Sequence, residues 1–185
     1  MANGTLKVSN IETSSGSGTI TIGQSGETVT IASGVTQTVA VNTPSFSAYM
    51  GSDQSSVADA TWTKVNMNTE FFDSDGKYDT SNYRFTPTVA GKYMFGASLY
   101  YNSSSTMETG EIGFYKNGSK LLYATTDVND DNKHQLTGII DLDTDDYVEL
   151  YAYVNVASGG TFNINQDGTT SNNRCYWYGY KIIGA

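Results

Sequence analysis

Any chemistry in this chain has to come from few residue types. It holds one histidine, His134, and one cysteine, Cys175, against 19 Asp and Glu in 185 residues. A Ser/His/Asp or Cys/His nucleophile would draw on His134 in either case, because both need an imidazole to take the proton. His134 follows the polar run Asp130-Asp131-Asn132-Lys133 and is read as a satisfied or solvated surface histidine. One histidine excludes a multi-histidine metal site within a chain, and one cysteine excludes an intrachain disulfide. Asp127-Val128-Asn129-Asp130-Asp131 begins like a calcium loop with oxygen ligands at alternate positions. Its sixth position is Asn132 instead of Gly and its twelfth is Gly138 instead of Glu, so it is not an EF-hand. A glycosidase needs two carboxylates facing each other across a cleft. The short runs Asp73 to Gly76 and Asp141 to Asp146 are read instead as turns, in which side-chain oxygens bond nearby backbone N–H groups. No Gly-rich phosphate loop follows a strand. The expectation is a protein that is not an enzyme.

The elements around these residues are strands. Tyr93, Phe95, Ala97, Leu99 and Tyr101 share one face of a run whose other face carries Met94, Gly96, Ser98 and Tyr100. Glu111 to Tyr115 and Lys120 to Ala124 flank Lys116-Asn117-Gly118-Ser119, and Asn-Gly supplies the two positive φ values of a type I′ hairpin turn. Leu136 to Leu142, Tyr147 to Val156, Thr161 to Asn165 and Arg174 to Ile183 are further predicted strands. No window repeats apolar residues at 3.6 positions, so helices should be nearly absent. Several strands are apolar or aromatic on both faces: Val148, Leu150, Ala152 and Val154 oppose Tyr147, Tyr151 and Tyr153. A sandwich core covers one face, and a subunit interface is the economical cover for the other, since tyrosine is enriched at interface cores.

Two regions differ in kind. Residues 1–45 hold no Phe, Tyr or Trp and three charges (Lys7, Glu12, Glu27), whereas all 14 tyrosines lie beyond Phe46. The front region alternates as Thr19-Ile20-Thr21-Ile22, Thr28-Val29-Thr30-Ile31 and Thr38-Val39-Ala40-Val41 between Gly/Ser turns, the period of half-buried strands. Three such strands bury too little to offset about 1–2 kcal/mol of backbone entropy per residue, so this stem is expected to order only against other chains or a larger assembly. The formal charge of -9 repels phosphate backbones and excludes nucleic acid as a partner. No run is apolar enough for a signal peptide or a membrane span.

The residues from Phe46 onward resemble a C1q/TNF-type globular head. The resemblance is carried by Phe46-Ser47-Ala48, Asp75-Gly76-Lys77-Tyr78-Asp79, Tyr83-Arg84-Phe85-Thr86-Pro87 and Ala90-Gly91-Lys92-Tyr93-Met94-Phe95. It continues in Lys116-Asn117-Gly118, in Leu142 with Asp146-Tyr147-Val148-Glu149-Leu150, and in the closing Trp177-Tyr178-Gly179-Tyr180-Lys181-Ile182. It implies an all-β jelly roll of about ten strands that forms a homotrimer. Trp177 and Tyr180 stand where the family usually has Phe, Asp145 where it has Gly, and its collagen stalk is missing. In calcium-binding members of that family, ligands come from positions matching Asn117 and Asp127, which makes calcium the one candidate cofactor.

The leader of about 40 residues, with Gly4-Thr5-Leu6-Lys7-Val8-Ser9-Asn10-Ile11-Glu12-Thr13 followed by Ser/Gly and Thr-Ile-Thr-Ile, resembles the amino-terminal stretch of bacteriophage structural proteins, notably those of marine phages. Together the resemblances imply residues 1–44 as a β-rich stem or attachment segment and 45–185 as the head of a virion or tail-fibre protein, made in the host cytoplasm. The implied partners are two further copies, other virion proteins through the stem, and a host-surface glycan or protein; the alternative is a cellular C1q-like lectin or pattern-binding protein.

Overall fold

A computed structural model describes residues 11, 20–22, 25–26, 28–30, 33, 42–127, 132–157, 159–166 and 173–183. The chain divides into two compact units, Met1–Val39 and Ala40–Ala185. In the first, the described residues include no strand, and Ile20, Ile22 and Val29 are exposed. The strand expected over 38–41 and most of the stem lie outside the described residues.

In the second unit period-2 patterning becomes thirteen strands: β1 (Ser45–Tyr49), β2 (Gln54–Ala58), β3 (Thr63–Lys64), β4 (Thr69–Asp73), β5 (Tyr78–Asp79), β6 (Arg84–Phe85), β7 (Gly91–Asn102), β8 (Met107–Lys116), β9 (Ser119–Asp127), β10 (Lys133–Leu142), β11 (Val148–Val156), β12 (Thr161–Ile164) and β13 (Tyr176–Lys181). Three of them, β3, β5 and β6, are only two residues long, which leaves ten longer strands. There is no helix among the described residues. The first sheet runs β2-β12-β7-β13-β1-β4, with β10 also pairing β7; the second runs β5-β6-β11-β8-β9, with β3 also pairing β11. Every pairing is antiparallel.

The core lies between the sheets. From the first come Phe46, Tyr93, Phe95, Leu99, Tyr101 and Trp177; the second supplies Tyr78, Phe85, Ile112, Phe114, Val148 and Leu150, all buried. Phe46 is the hub. Its ring stacks on Tyr78 at 4.9 Å and Phe85 at 4.8 Å across the sandwich, and meets Trp177 edge-on at 4.8 Å. Offset and edge contacts of this kind add to what burial already contributes. Buried tyrosines keep their hydroxyls satisfied: Tyr78 donates to the Met67 carbonyl at 2.7 Å and Tyr101 to that of Glu111 at 2.6 Å. Gly179 pairs with Phe46 across β13 and β1. A Cβ there would lie 2.6 Å from the Phe95 ring and 2.8 Å from that of Phe46.

The β8–β9 hairpin closes as the Asn-Gly pair predicts, with φ of 51° at Asn117 and 76° at Gly118. It is fastened to the β10–β11 loop through Asp146. That carboxylate pairs with Lys116 Nζ at 2.7 Å, and accepts from Asn117 Nδ2 at 2.6 Å and from the Asp143 backbone N–H at 2.7 Å. Asn117 completes the clamp by accepting from the Tyr147 N–H at 2.9 Å. Asp145, which replaces the glycine of the resembled family, is exposed and does not need positive φ.

Phe46→Ala should lower unfolding free energy by about 3–5 kcal/mol, and Gly179→Ala by about 1–3 kcal/mol through overpacking, both read from urea denaturation. The Lys116 contact, then the Asp143 N–H and Asn117, hold the Asp146 carboxyl down at about 2. Its folded value is below the unfolded one, so its contribution is complete above the ordinary carboxylate range and disappears as pH falls toward 2. Asp146→Asn should therefore cost about 1 kcal/mol at pH 7, less than the full shift implies because its partner Lys116 is partly exposed and the amide oxygen can still accept a hydrogen bond. The gap between variant and wild type should close between pH 4 and 2; a gap independent of pH would refute this account.

Candidate interaction surfaces

His134 is not on the surface. Alternation along β10 turns it inward opposite Leu99, and its ring stacks on Tyr101 at 4.6 Å, only 1% exposed. The polar run before it had suggested solvent, but period 2 decides orientation residue by residue. Cys175 is fully buried, with Sγ donating to the Asn165 carbonyl at 3.2 Å and accepting from the Tyr100 N–H at 3.3 Å. Burial pushes its thiol up to about 12, the state of an inert structural cysteine.

The acids bend the chain. Asp73 accepts from the Tyr78 and Asp75 N–H groups, Asp59 from Val156 N–H, and Asp53 from Gln166 N–H. Asp79 takes the Asn82 side-chain amide at 2.7 Å and the Asn82 and Ser81 N–H groups, which hold its carboxyl below the usual range. An open pocket of about 420 Å³ beside it is lined by Lys77, Arg84 and Thr86 among others, and Asp79 is its one acid. A facing carboxylate pair is therefore absent there.

Asn117 and Asp127 are not brought together. One sits in the turn before β9 and the other closes that nine-residue strand, opposite Thr109. Strand rise separates them by roughly 25–30 Å, and ligands of one calcium ion lie within about 5 Å of each other. Within one chain they cannot share an ion. The Asp127 side chain and residues 128–131, where the calcium-like run continues, lie outside the described residues. Among the described residues no group of three or more His, Cys, Asp or Glu could hold a metal.

What the fold does assemble is two broad outer faces. On the first sheet, cross-strand pairing aligns Tyr49 with Tyr176, and Tyr180 with Met94, Met94 in turn facing Ile139. Tyr178 lies directly over Gly96, leaving no room for a Cβ. Tyr49 meets Phe71 at 4.4 Å. Phe71, Phe72 and Ile139 are 52%, 53% and 58% exposed, and Ser98, buried among these strands, leaves its hydroxyl without a hydrogen-bond partner.

The second sheet's outer face differs. Trp62, just before β3, lies on Gly113, where a Cβ would come within 3.0 Å of its ring. Its centroid is 5.6 Å from Tyr153, 5.8 Å from Tyr115 and 6.4 Å from Tyr123. Tyr115 stacks on Tyr151 at 3.9 Å. Burial first, then the neighbouring Glu149, pushes the Tyr151 hydroxyl up to about 12. Glu149 is buried and pairs with Lys64 at 2.8 Å, while Lys120 Nζ sits 4.7 Å over Trp62 and 4.3 Å over Tyr123. Sequence reasoning had found outward tyrosines on single strands but neither Trp62 nor Lys120.

No family model matches the chain. It is similar to the phage-like element PBSX protein XkdV of Bacillus subtilis (strain 168), 32% identical over 132 residues that cover 66% of this chain and 19% of that protein. The chain thus spans less than a fifth of that relative. Among solved structures, the globular domain of zebrafish complement 1qA matches with TM-score 0.51 at 13% identity, over 76% of this chain and 97% of that domain. Murine APRIL matches with TM-score 0.53 at 11% identity, over 75% of this chain and 98% of its own. Residues from Ser45 onward therefore have the two-sheet jelly-roll fold of the C1q/TNF globular domains.

Proposed function

We propose that this chain is a phage-associated structural protein whose residues 45–185 form a homotrimeric head, with residues 1–44 as the segment that attaches it to other virion proteins. The observation that carries the trimer is the outer face of the first sheet. Tyr49, Phe71, Phe72, Met94, Tyr178, Tyr180 and Ile139 share it, and so large an exposed apolar patch on one domain marks an interaction surface. A cyclic assembly buries the same face three times, with tyrosine hydroxyls finding partners across the contact. The similarity to a phage-element protein and the C1q/TNF fold support this reading. The head's work is adhesion to a host surface or decoration of the particle, with no catalysis. Adhesion would gain from three identical sites per head, since avidity multiplies weak single contacts.

Light scattering on the full chain at micromolar concentration should give three times the 20.0 kDa chain mass. Ile139→Glu, on an exposed side chain that the fold does not need, should shift that mass toward the monomer while leaving the far-ultraviolet circular dichroism unchanged. A wild-type monomer would sink the proposal.

A further inference from the structure

The second sheet's outer face has the composition of a ligand platform instead of a protein contact. Its outward residues on β8, β9 and β11 and around β3 include Glu111, Tyr115, Lys120, Tyr123, Tyr151, Tyr153 and Trp62, and the one large aliphatic side chain exposed on these strands among the described residues is Leu121, at the β-bulge beside Lys120. Protein interface cores favour apolar and aromatic residues together and shed charge. Here rings alternate with hydroxyl, carboxylate and ammonium groups.

We infer that this face binds saccharides, and acidic ones in preference, with Trp62 and Tyr153 as stacking surface and Lys120 as the anion contact. A pyranose ring offers a C–H face suited to an aromatic plane and a rim of hydroxyls suited to polar neighbours, so a site for it needs few precisely placed polar groups around an apolar floor. The floor is held in place: Trp62 rests on Gly113 and is braced by Tyr115, Tyr123 and Tyr153, so little side-chain entropy is lost when a ligand stacks on it.

Charge selects within that class. Lys64 is neutralised by Glu149, and Lys116 by Asp146, whereas Lys120 has no carboxylate at ion-pair distance among the described residues and is held over two ring faces. The net charge of -9 repels acidic sugars only at long range. With a Debye length of about 8 Å at physiological salt, the ammonium next to the stacking site decides the local preference. The inference rests on the proposed trimer only in that covering the first sheet leaves this face outward.

The test is titration of the full chain, by saturation-transfer NMR and calorimetry, with two matched pairs: sialyllactose against lactose, and oligogalacturonate against its methyl ester. Each acidic probe should bind at least about threefold more tightly than its neutral partner, and more weakly as salt rises. Trp62→Ala should weaken all binding about tenfold or more. Trp62→Tyr keeps a stacking ring and should retain most of the binding, which guards against a folding defect in the alanine variant. Lys120→Gln should abolish the preference for acid while sparing neutral binding. A trimer that binds none of the four probes overturns the inference, as does binding indifferent to both Trp62 and Lys120. Equal affinity within each pair overturns the acidic preference. A monomer that still binds through Trp62 would refute the trimer and leave this site standing.

Discussion

The ring of Phe46 is the contact on which the rest of the structure depends. It sits at the start of the head, on β1, yet its neighbours come from the last strand, through Trp177, and from the opposite sheet, through Tyr78 and Phe85. Those four rings join the two ends of the fold and its two layers in one cluster. Loop closure over such long sequence separations is expensive in chain entropy, and only a large, well-packed apolar contact offsets it. The closing strand can lie beside β1 because Gly179 leaves space where both Phe46 and Phe95 need it. The hairpin and loop clamp around Asp146 is secondary to this: it fixes a loop against a turn at the end of sheets already joined.

Tyrosine is abundant because this fold has three aromatic layers with different demands. In the core, Tyr78, Tyr93 and Tyr101 bury their rings and send hydroxyls to backbone carbonyls. On the first sheet's outer face tyrosines form an apolar surface with polar tips, and on the second they mix with Lys and Glu. One side chain can serve all three, since its body is apolar and its tip is satisfied by either backbone, partner or water. The low charge of the head goes with this, because strand positions filled by rings on both faces are not available to ions.

Much of this was legible in the sequence. The alternation from Tyr93 to Tyr101 foretold β7, the strand both β10 and β13 flank, and Asn117-Gly118 foretold the hairpin, because period and turn chemistry are local. The early strands were less legible from pattern alone: Gln54–Ala58 is mostly polar, β3 and β6 are two-residue pairings with β11, and β5 is a two-residue pairing with β6. His134 was misread because its neighbours in sequence are polar while its neighbours in space are Leu99 and Tyr101. The Trp62 platform was illegible for a related reason. Its rings come from four segments spread over ninety residues, and only strand order brings them together. The available signal was Gly113, a glycine set between the strand formers Ile112 and Phe114, which suggests close approach by something large.

That signal generalises across the molecule. Gly179 lies under Phe46 and Phe95, Gly96 under Tyr178 and Gly113 under Trp62. Each aromatic layer therefore rests on one strand glycine, and each glycine gives up the packing and stiffness that a side chain would have lent its strand. A sheet needs no such weakness merely to fold. In the core the glycine is explained by the rings that join the layers. On the outer faces it is explained by the ring seated on it, Tyr178 over Gly96 and Trp62 over Gly113, and those flat, partly exposed rings are the surfaces on which the proposed trimer contact and the proposed saccharide site rest.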